Sequence, residues 1–169
     1  MFIEKFDPTP IQKLGEKLND NTFYIKRDDL IPISFGGNKV RKAILFYKVI
    51  KENGYNSIVT YGSSSSNHCR VISNMAASKK IPCYIVSPSE KSRTTLNSKM
   101  IELFAAETIH CPVNDVRDTI SRTIENLRLK GYNPYFVQGG GHGNIGTQAY
   151  VDAYKEIKGY LIYSNKTTN

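Results

Sequence analysis

Three segments rich in glycine and serine contain residue types that could bind a phosphate or take part in catalysis. In the first, residues 34–42, Asn38 can begin a helix whose first turn carries Lys39, Arg41 and Lys42. Cations are unfavourable at a helix N-terminus, where free backbone N–H groups already carry partial positive charge. A phosphate bound at the helix start would explain them, as would a lysine held as a Schiff base. The alternative is three solvated side chains on a surface turn.

The second segment, residues 61–70, places four consecutive serines before Asn67 and His68. Their hydroxyls and the N–H groups of a following helix suit a carboxylate or a phosphate. The segment matches neither the phosphate-binding P-loop nor the nucleophile elbow of hydrolases. His68 could act as a base for a serine, but no carboxylate can be identified to orient it, so we disfavour a catalytic triad. A polar turn that caps a helix is the alternative.

The third segment, residues 138–146, has four glycines between positions 139 and 143. Glycine loses more conformational entropy on folding than other residues, so this density indicates backbone that approaches another group closely. The segment follows the fifth predicted strand rather than the first, and no acidic residue ends a strand about twenty residues later, which argues against a dinucleotide site. A structural loop that packs against the first two segments is the alternative.

The hydrophobic pattern predicts alternating strands and helices that would bring these segments together. The strands are predicted at residues 23–26, 57–61, 82–86, 107–111, 135–138 and 160–163, and the helices at 39–53, from about 67, at 96–103, 116–127 and 145–158. Such alternation predicts an α/β fold with a parallel sheet and helices on both faces. Ligands bind at the carboxyl ends of the strands in such sheets, and all three segments follow a predicted strand.

The composition is that of one folded domain, since 169 residues with 40% apolar and 11% aromatic content can bury a core and are not typical of disorder. No apolar run is long enough for a membrane span, and the N-terminus lacks a signal-peptide pattern. Three cysteines without CxxC spacing predict free thiols in the cytoplasm and no metal site. The net charge of +8 allows a nucleic-acid binder, but the basic residues are scattered, so we disfavour it.

Five motifs follow one another between residue 8 and about residue 157. They are Pro8-Thr-Pro10, Lys26-Arg-Asp-Asp-Leu30, Gly36-Gly-Asn-Lys-Val-Arg-Lys42, Ser65-Ser-Asn-His-Cys-Arg70 and Gly140-Gly-His-Gly-Asn-Ile-Gly146. In this order the motifs resemble the pyridoxal-phosphate enzymes that include 1-aminocyclopropane-1-carboxylate (ACC) deaminase and D-cysteine desulfhydrase. The resemblance implies the tryptophan-synthase-β-like fold, called fold type II, and pyridoxal 5'-phosphate as cofactor.

The resemblance also implies roles for individual residues. Lys39 matches the lysine that forms the Schiff base and moves the Cα proton, and Lys42 matches a second lysine close to the phosphate. Asn67 matches the asparagine that hydrogen-bonds the pyridoxal 3-oxygen. Ser66 matches a serine that contacts the substrate carboxylate and is a proposed nucleophile in ring opening. The expected substrate-binding residues are Ser65, Ser66 and His68.

Family members are about twice as long as this chain, which affects the expected organisation and activity. We expect residues 1–42 and 139–169 to belong to the larger lobe of a truncated fold and residues 43–138 to form the smaller lobe, with 160–163 as an unpaired edge strand. The resemblance implies a deaminase or lyase acting on a small amino acid. Self-association as a homo-oligomer or a complementing C-terminal half would supply the missing part. The alternative is a truncated, non-catalytic homologue that acts as a binding or structural module.

Overall fold

A four-stranded parallel sheet with flanking helices forms the centre of the computed structural model, which describes residues 4–91 and 94–166. The elements are, in chain order, β1 (Ile11–Leu18), β2 (Asn21–Lys26), α1 (Asn38–Glu52), β3 (Ser57–Tyr61), α2 (Asn67–Ser78), β4 (Cys83–Pro88), α3 (Leu96–Leu103), β5 (Glu107–Cys111), α4 (Val116–Leu129), β6 (Pro134–Val137) and α5 (Asn144–Lys166). The predicted α/β class is confirmed.

The sheet has the strand order β5-β4-β3-β6, and every pairing in it is parallel. Side chains alternate between the two faces of a strand. Ile58 of β3 and Ile85 of β4 belong to the core that α1, α2 and α3 cover. Their neighbours Val59 and Val86 are fully buried on the opposite face, where α4 packs on β3 and β4. The carboxyl ends of β3, β4 and β6 therefore lie side by side at one edge of a buried sheet.

An antiparallel hairpin precedes the parallel sheet, and its first strand was not predicted. β1 pairs with β2, which contains the strand predicted at residues 23–26. The turn residues Asn19 and Asp20 both have positive φ, of 50° and 62°. Asparagine and aspartate tolerate this conformation and favour the two-residue turns of hairpins, because such turns match the twist of the strands. The Asn-Asp pair was thus the available signal for the hairpin.

The strand predicted at residues 160–163 is wrong, because these residues continue α5. A short apolar run does not distinguish a strand from a helix by its pattern alone. Glu156 lies one turn earlier and forms ion pairs with Lys26 and Arg41, which hold the helix at that point. Once a helix is formed, adding a turn is easier than starting a new element, so α5 extends through Gly159. The expected edge strand is therefore absent from the described residues.

All three cysteines are free, as predicted, and the structure shows that all three are buried. Burial raises the pKa of Cys69 to about 11 and also raises the pKa of Cys83. Within residues 4–91 and 94–166, no group of three or more histidine, cysteine or acidic side chains could hold a metal ion. No helix of that same part of the chain has the length and apolar character needed to cross a membrane.

Candidate functional site

The segments after β3 and β6 line a cleft at the carboxyl edge of the sheet, and the start of α1 lies beside it. The cleft has a volume of about 530 Å³, and its lining includes Ser63, Ser66, Pro88, Gln138, Gly140 and His142. The first segment joins it through Lys39, whose side chain reaches the backbone of Gly140. The prediction that the three segments lie together is confirmed.

Lys39 and Lys42 are one turn apart on α1 and both donate to the glycine segment. Lys39 Nζ donates to the carbonyl oxygen of Gly140 at 2.9 Å, and Lys42 Nζ donates to Gly140 at 3.2 Å and Gly141 at 2.9 Å. Among the described residues, neither lysine forms an ion pair with a carboxylate. Burial and the charge of Lys39 lower the pKa of Lys42. The two ammonium groups therefore lie together without a neutralising anion.

Arg41, the third cation of this turn, has a different environment. Its Nε and Nη2 donate to the two carboxylate oxygens of Asp28 at 2.7 Å each, and its Nη1 donates to Glu156 at 2.7 Å. Nη2 also donates to Thr9 Oγ1 at 3.2 Å. Burial opposes its charge, but hydrogen bonds to Asp28 and Glu156 raise the pKa of Arg41 above its ordinary value. Arg41 thus joins α1 to α5 and to the chain before it, and its contacts are structural.

The serine segment presents Ser66 to the cleft at the start of α2. Ser66 Oγ accepts a hydrogen bond from the Cys69 backbone N–H at 3.2 Å, so Ser66 is the N-cap of the helix. Ser65 and Asn67 are exposed on either side of it. Asn67 Oδ1 accepts from Asn97 Nδ2 at 3.1 Å. The serine segment can therefore be both a helix-capping polar turn and part of a binding site, because Ser66 caps α2 and also lines the cleft.

His68 is buried behind this segment and is tied to the sheet. Its Nε2 lies 2.9 Å from Thr60 Oγ1, which donates its own hydrogen to Val137 O. His68 therefore donates from Nε2. Burial, together with the charges of Lys39, Lys42 and His142, lowers the pKa of His68 to about 3. These contacts support a structural role, and the predicted contact of His68 with substrate stays a prediction.

The glycine segment approaches the lysines because it lacks side chains. Gly140 and Gly141 have φ values of 68° and 66°, in the left-handed region that glycine adopts without strain. A Cβ atom on Gly141 would lie 3.0 Å from Lys42 Cδ and 3.1 Å from Phe46 Cε2, and one on Gly146 would overlap the carbonyl oxygen of Gly141. The glycines therefore allow the backbone carbonyls to reach the ammonium groups.

Three residues of the site were not predicted from the sequence as site residues. Asn97 of α3 contacts the serine segment, and His142 lines the cleft. The ring of Tyr150, in α5, lies 5.1 Å from Lys42 Nζ. His142 could have been predicted as a site residue, because it is a polar, titratable side chain within the glycine segment. The contacts of Asn97 and Tyr150 depend on helix packing across more than 30 and 100 positions, and no local pattern indicates them.

Comparison with known proteins decides the family. A family model described as "Pyridoxal-phosphate dependent enzyme" matches residues 4–165. The chain belongs to this family. D-cysteine desulfhydrase of Yersinia enterocolitica is 31% identical over 159 residues, which cover 88% of this chain and 48% of that protein. D-cysteine desulfhydrase of Salmonella paratyphi A is 31% identical over 160 residues, which cover 89% of this chain and 48% of that protein.

Solved structures agree with the family assignment. The crystal structure of an ACC deaminase homologue has a TM-score of 0.76 and 28% identity, with 89% of this chain and 47% of that chain covered. A pyridoxal 5'-phosphate-dependent aspartate racemase has a TM-score of 0.66 at 17% identity and shares the fold. The recognition from motifs and the fold type II prediction are confirmed. The chain spans about half the length of the curated relatives that it matches.

The residues of the cleft fit the cofactor of this family. Pyridoxal phosphate carries an anionic phosphate and an aldehyde that condenses with a lysine amine. Lys39 and Lys42 have no carboxylate partner within residues 4–91 and 94–166 and lie beside helices that begin at Asn38 and Asn67. They provide positive potential for the anion and an amine for the aldehyde. The first-turn cations that are unfavourable for an isolated helix therefore fit an anionic ligand.

Proposed function

We propose that this chain binds pyridoxal phosphate through Lys39 and acts in deamination or desulfhydration of a small amino acid of the D-cysteine or ACC type. The observation that carries the proposal is the pair Lys39 and Lys42, which share the carbonyl oxygen of Gly140 and have no carboxylate partner in the described part of the chain. The similarity to D-cysteine desulfhydrases and to an ACC deaminase homologue supports the substrate class.

The residues of the cleft have separate roles in this proposal. The bound cofactor would supply an electron sink for a Cα carbanion. Lys39 Nζ would hold the cofactor covalently and, once released from it, would take or return the proton at Cα. Lys42, held by two carbonyls, adds positive charge near the phosphate. Ser66 would donate its hydroxyl hydrogen to the substrate carboxylate, and Asn67 would donate an amide hydrogen to the 3-oxygen of the ring.

The organisation and assembly of the chain complete the proposal. Residues 43–138 would form the smaller lobe of the family fold, and residues 1–42 and 139–169 would belong to the larger lobe. A second copy of the chain, or a C-terminal half, would cover the open side of the cleft. The buried free cysteines support a reducing compartment, the cytoplasm.

Absorption spectroscopy of the full chain with added pyridoxal phosphate tests the proposal. The wild type should develop an imine band near the edge of the visible range, Lys39→Ala should lack it, and borohydride reduction followed by peptide mapping should place the adduct on Lys39. Lys42→Met should keep the band but need about tenfold more cofactor, because one hydrogen-bonded charge is lost. A wild type without a band at saturating cofactor, or a band unchanged in Lys39→Ala, contradicts covalent binding and favours the non-catalytic homologue.

A further inference from the structure

The start of α3 holds the serine segment in place through two side chains. Thr95 Oγ1 donates to the carbonyl oxygen of Ser64 at 2.9 Å. Asn97 Nδ2 donates to the carbonyl oxygen of Ser65 at 2.7 Å and to Asn67 Oδ1 at 3.1 Å. One amide group of α3 therefore contacts both the backbone and a side chain of the segment that lines the cleft.

The contacts around Asn67 determine which way its side-chain amide faces. Its Oδ1 has two neighbours, Asn97 Nδ2 and Arg70 Nη2 at 3.4 Å, and both are hydrogen-bond donors. With the amide reversed, the Asn67 NH₂ group would face these two donors and lose both hydrogen bonds. The oxygen is therefore held against α3 and Arg70. The NH₂ group remains as the part of Asn67 that can donate to a ligand.

We propose that Asn97 is a positioning residue that fixes the amide of Asn67 so that its Nδ2 donates to an anionic oxygen of the bound cofactor. This inference rests on the proposed function, in which that oxygen is the ring 3-oxygen. Asparagine suits the role because its NH₂ group has two hydrogens for two acceptors, here Ser65 O and Asn67 Oδ1. Aspartate at position 97 has the same shape but only acceptors.

A cofactor-free measurement tests the orientation of the amide by itself. In Asn97→Asp, the carboxylate accepts instead of donating, and the Asn67 amide should turn so that its NH₂ group bonds to it. The side-chain NH₂ resonances of Asn67, assigned with Asn67→Ala in a ¹⁵N NMR spectrum, should then shift downfield and exchange more slowly with solvent. The control, Thr95→Val, removes the bond to Ser64 O and the N-cap bond from the Ser98 backbone N–H, but it keeps the Asn97 amide and should leave these resonances unchanged. Unchanged Asn67 resonances in Asn97→Asp would overturn the proposal.

A second measurement uses the imine band and reports the contact with the cofactor. A donor to the ring oxygen stabilises the more negative, deprotonated imine, so loss of the donor makes loss of the proton harder. Asn97→Asp should therefore raise the pH midpoint of the imine band by about one unit, as the loss of one hydrogen bond to a charged group predicts. Thr95→Val should leave the midpoint unchanged.

A double-mutant comparison separates positioning by Asn97 from a general structural effect. Asn67→Ala should raise the midpoint as Asn97→Asp does, and the double variant should raise it no further, because both act through one hydrogen bond. Additive shifts, or a midpoint that does not move in Asn97→Asp, would contradict the inference. If the wild type forms no imine band, the proposed function fails, while the NMR measurement still decides whether Asn97 orients Asn67.

Discussion

Arg41 and Lys42 are neighbours in sequence and are both buried, at 5% and 6% exposure, yet their surroundings are opposite. Arg41 lies between the carboxylates of Asp28 and Glu156, which raise its pKa. Lys42 lies against two glycine carbonyls, and burial lowers its pKa. One turn of α1 therefore carries a neutralised cation on one side and an unneutralised cation on the other.

The difference distinguishes a structural cation from one suited to a ligand. A buried charge is unfavourable unless a partner compensates it, and Arg41 has such partners within the protein. Lys42 and Lys39 contact neutral groups among the described residues, namely carbonyl oxygens and, for Lys42, the Tyr150 ring, so an incoming anion would improve their electrostatic energy. The arrangement explains why three first-turn cations have different roles although they look alike in the sequence.

The largest expected effect comes from removing the structural cation. Arg41→Met should lower the free energy of unfolding by about 3 kcal/mol, because it leaves the mostly buried carboxylate of Asp28 without its ion-pair partner and that of Glu156 with Lys26 alone. Lys42→Met should lower it by about 1 kcal/mol or less, since only two carbonyls lose a donor. Urea unfolding of both variants measures the contrast, and equal losses would contradict the distinction between the two cations.

Acid should destabilise the protein through His68, which lies behind the unneutralised lysines. Its pKa is about 3 when folded, against about 6.5 in an unfolded chain, so the unfolded state binds the extra proton between these values. The contribution of neutral, buried His68 to the free energy of unfolding is fully present above about pH 6.5 and is lost as the pH falls towards 3. This residue alone should make the free energy of unfolding about 2 kcal/mol smaller at pH 5 than at pH 7.

Two variants check this pH dependence. Between pH 7 and pH 5, the free energy of unfolding of His68→Gln should fall by about 2 kcal/mol less than that of the wild type. The acidic groups contribute equally to both proteins. Lys42→Met should reduce the loss, because removing a nearby charge raises the pKa of His68 towards its ordinary value. Urea unfolding at both pH values supplies the comparison. The same pH dependence in His68→Gln and the wild type would show that other groups cause it.

The close approach of the glycine segment to Lys42 should have a smaller but separable effect. Gly141 and Gly54 both have a φ of 66°, but only Gly141 has neighbours where a Cβ would be placed. Gly54→Ala should destabilise by about 1 kcal/mol from the left-handed backbone alone. Gly141→Ala should destabilise by about 1 kcal/mol more, because Lys42 and Phe46 must move. Thermal unfolding of the two variants measures the difference, and identical losses would mean that the contact with Lys42 is loose.

The smallest expected effect concerns the aromatic ring beside Lys42. Asn38 Nδ2 donates to Tyr150 Oη at 2.6 Å, and the ring lies 5.1 Å from Lys42 Nζ. Tyr150→Phe should destabilise by about 0.5 kcal/mol, because it loses an exposed hydrogen bond but keeps the ring. Tyr150→Leu should lose about 0.5 kcal/mol more with the cation–π contact. A Leu variant as stable as the Phe variant would show that the ring does not stabilise Lys42.

The elements that local pattern determines were predicted from the sequence, and contacts between distant residues were not. The strands β3 and β5 were predicted at their observed bounds, because short strand-like segments alternate there with helical periodicity. The placement of Lys39 and Lys42 at a helix start followed from Asn38 and the glycines before it. The N-cap itself is Gly37 rather than Asn38, the N-cap that residue type predicts, because the Asn38 side chain donates to Tyr150 instead. The hairpin strand β1 was missed because residues 11–15 and 17, the part of it whose burial is described, form no buried face, which removes the alternating pattern.

The different environments of Lys39, Arg41 and Lys42 could be recognised only from the tertiary structure. Arg41 meets Glu156 across 115 positions, and Lys42 meets Gly141 across 99. The sequence alone could not show which cation acquires a carboxylate, because the partners come from separate elements that pack only when the sheet has formed. The contact between Asn97 and Asn67 could not be predicted from the sequence for the same reason, since the two residues are 30 positions apart. Motif resemblance predicts Lys39 as the cofactor lysine, and geometry distinguishes Arg41, which has carboxylate partners, from Lys39 and Lys42, which have none among the described residues.

The position of β6 beside β3 has a consequence for how the protein forms during synthesis. Asn56 and Asn133, at the start of this pairing, are 77 residues apart, and β4 and β5 lie between them in the chain. Pairing across such a distance slows folding, and until β6 emerges from the ribosome one edge of β3 stays open to other chains. The glycine carbonyls that hold both lysines follow β6. The cleft is therefore among the last parts of this chain to assemble.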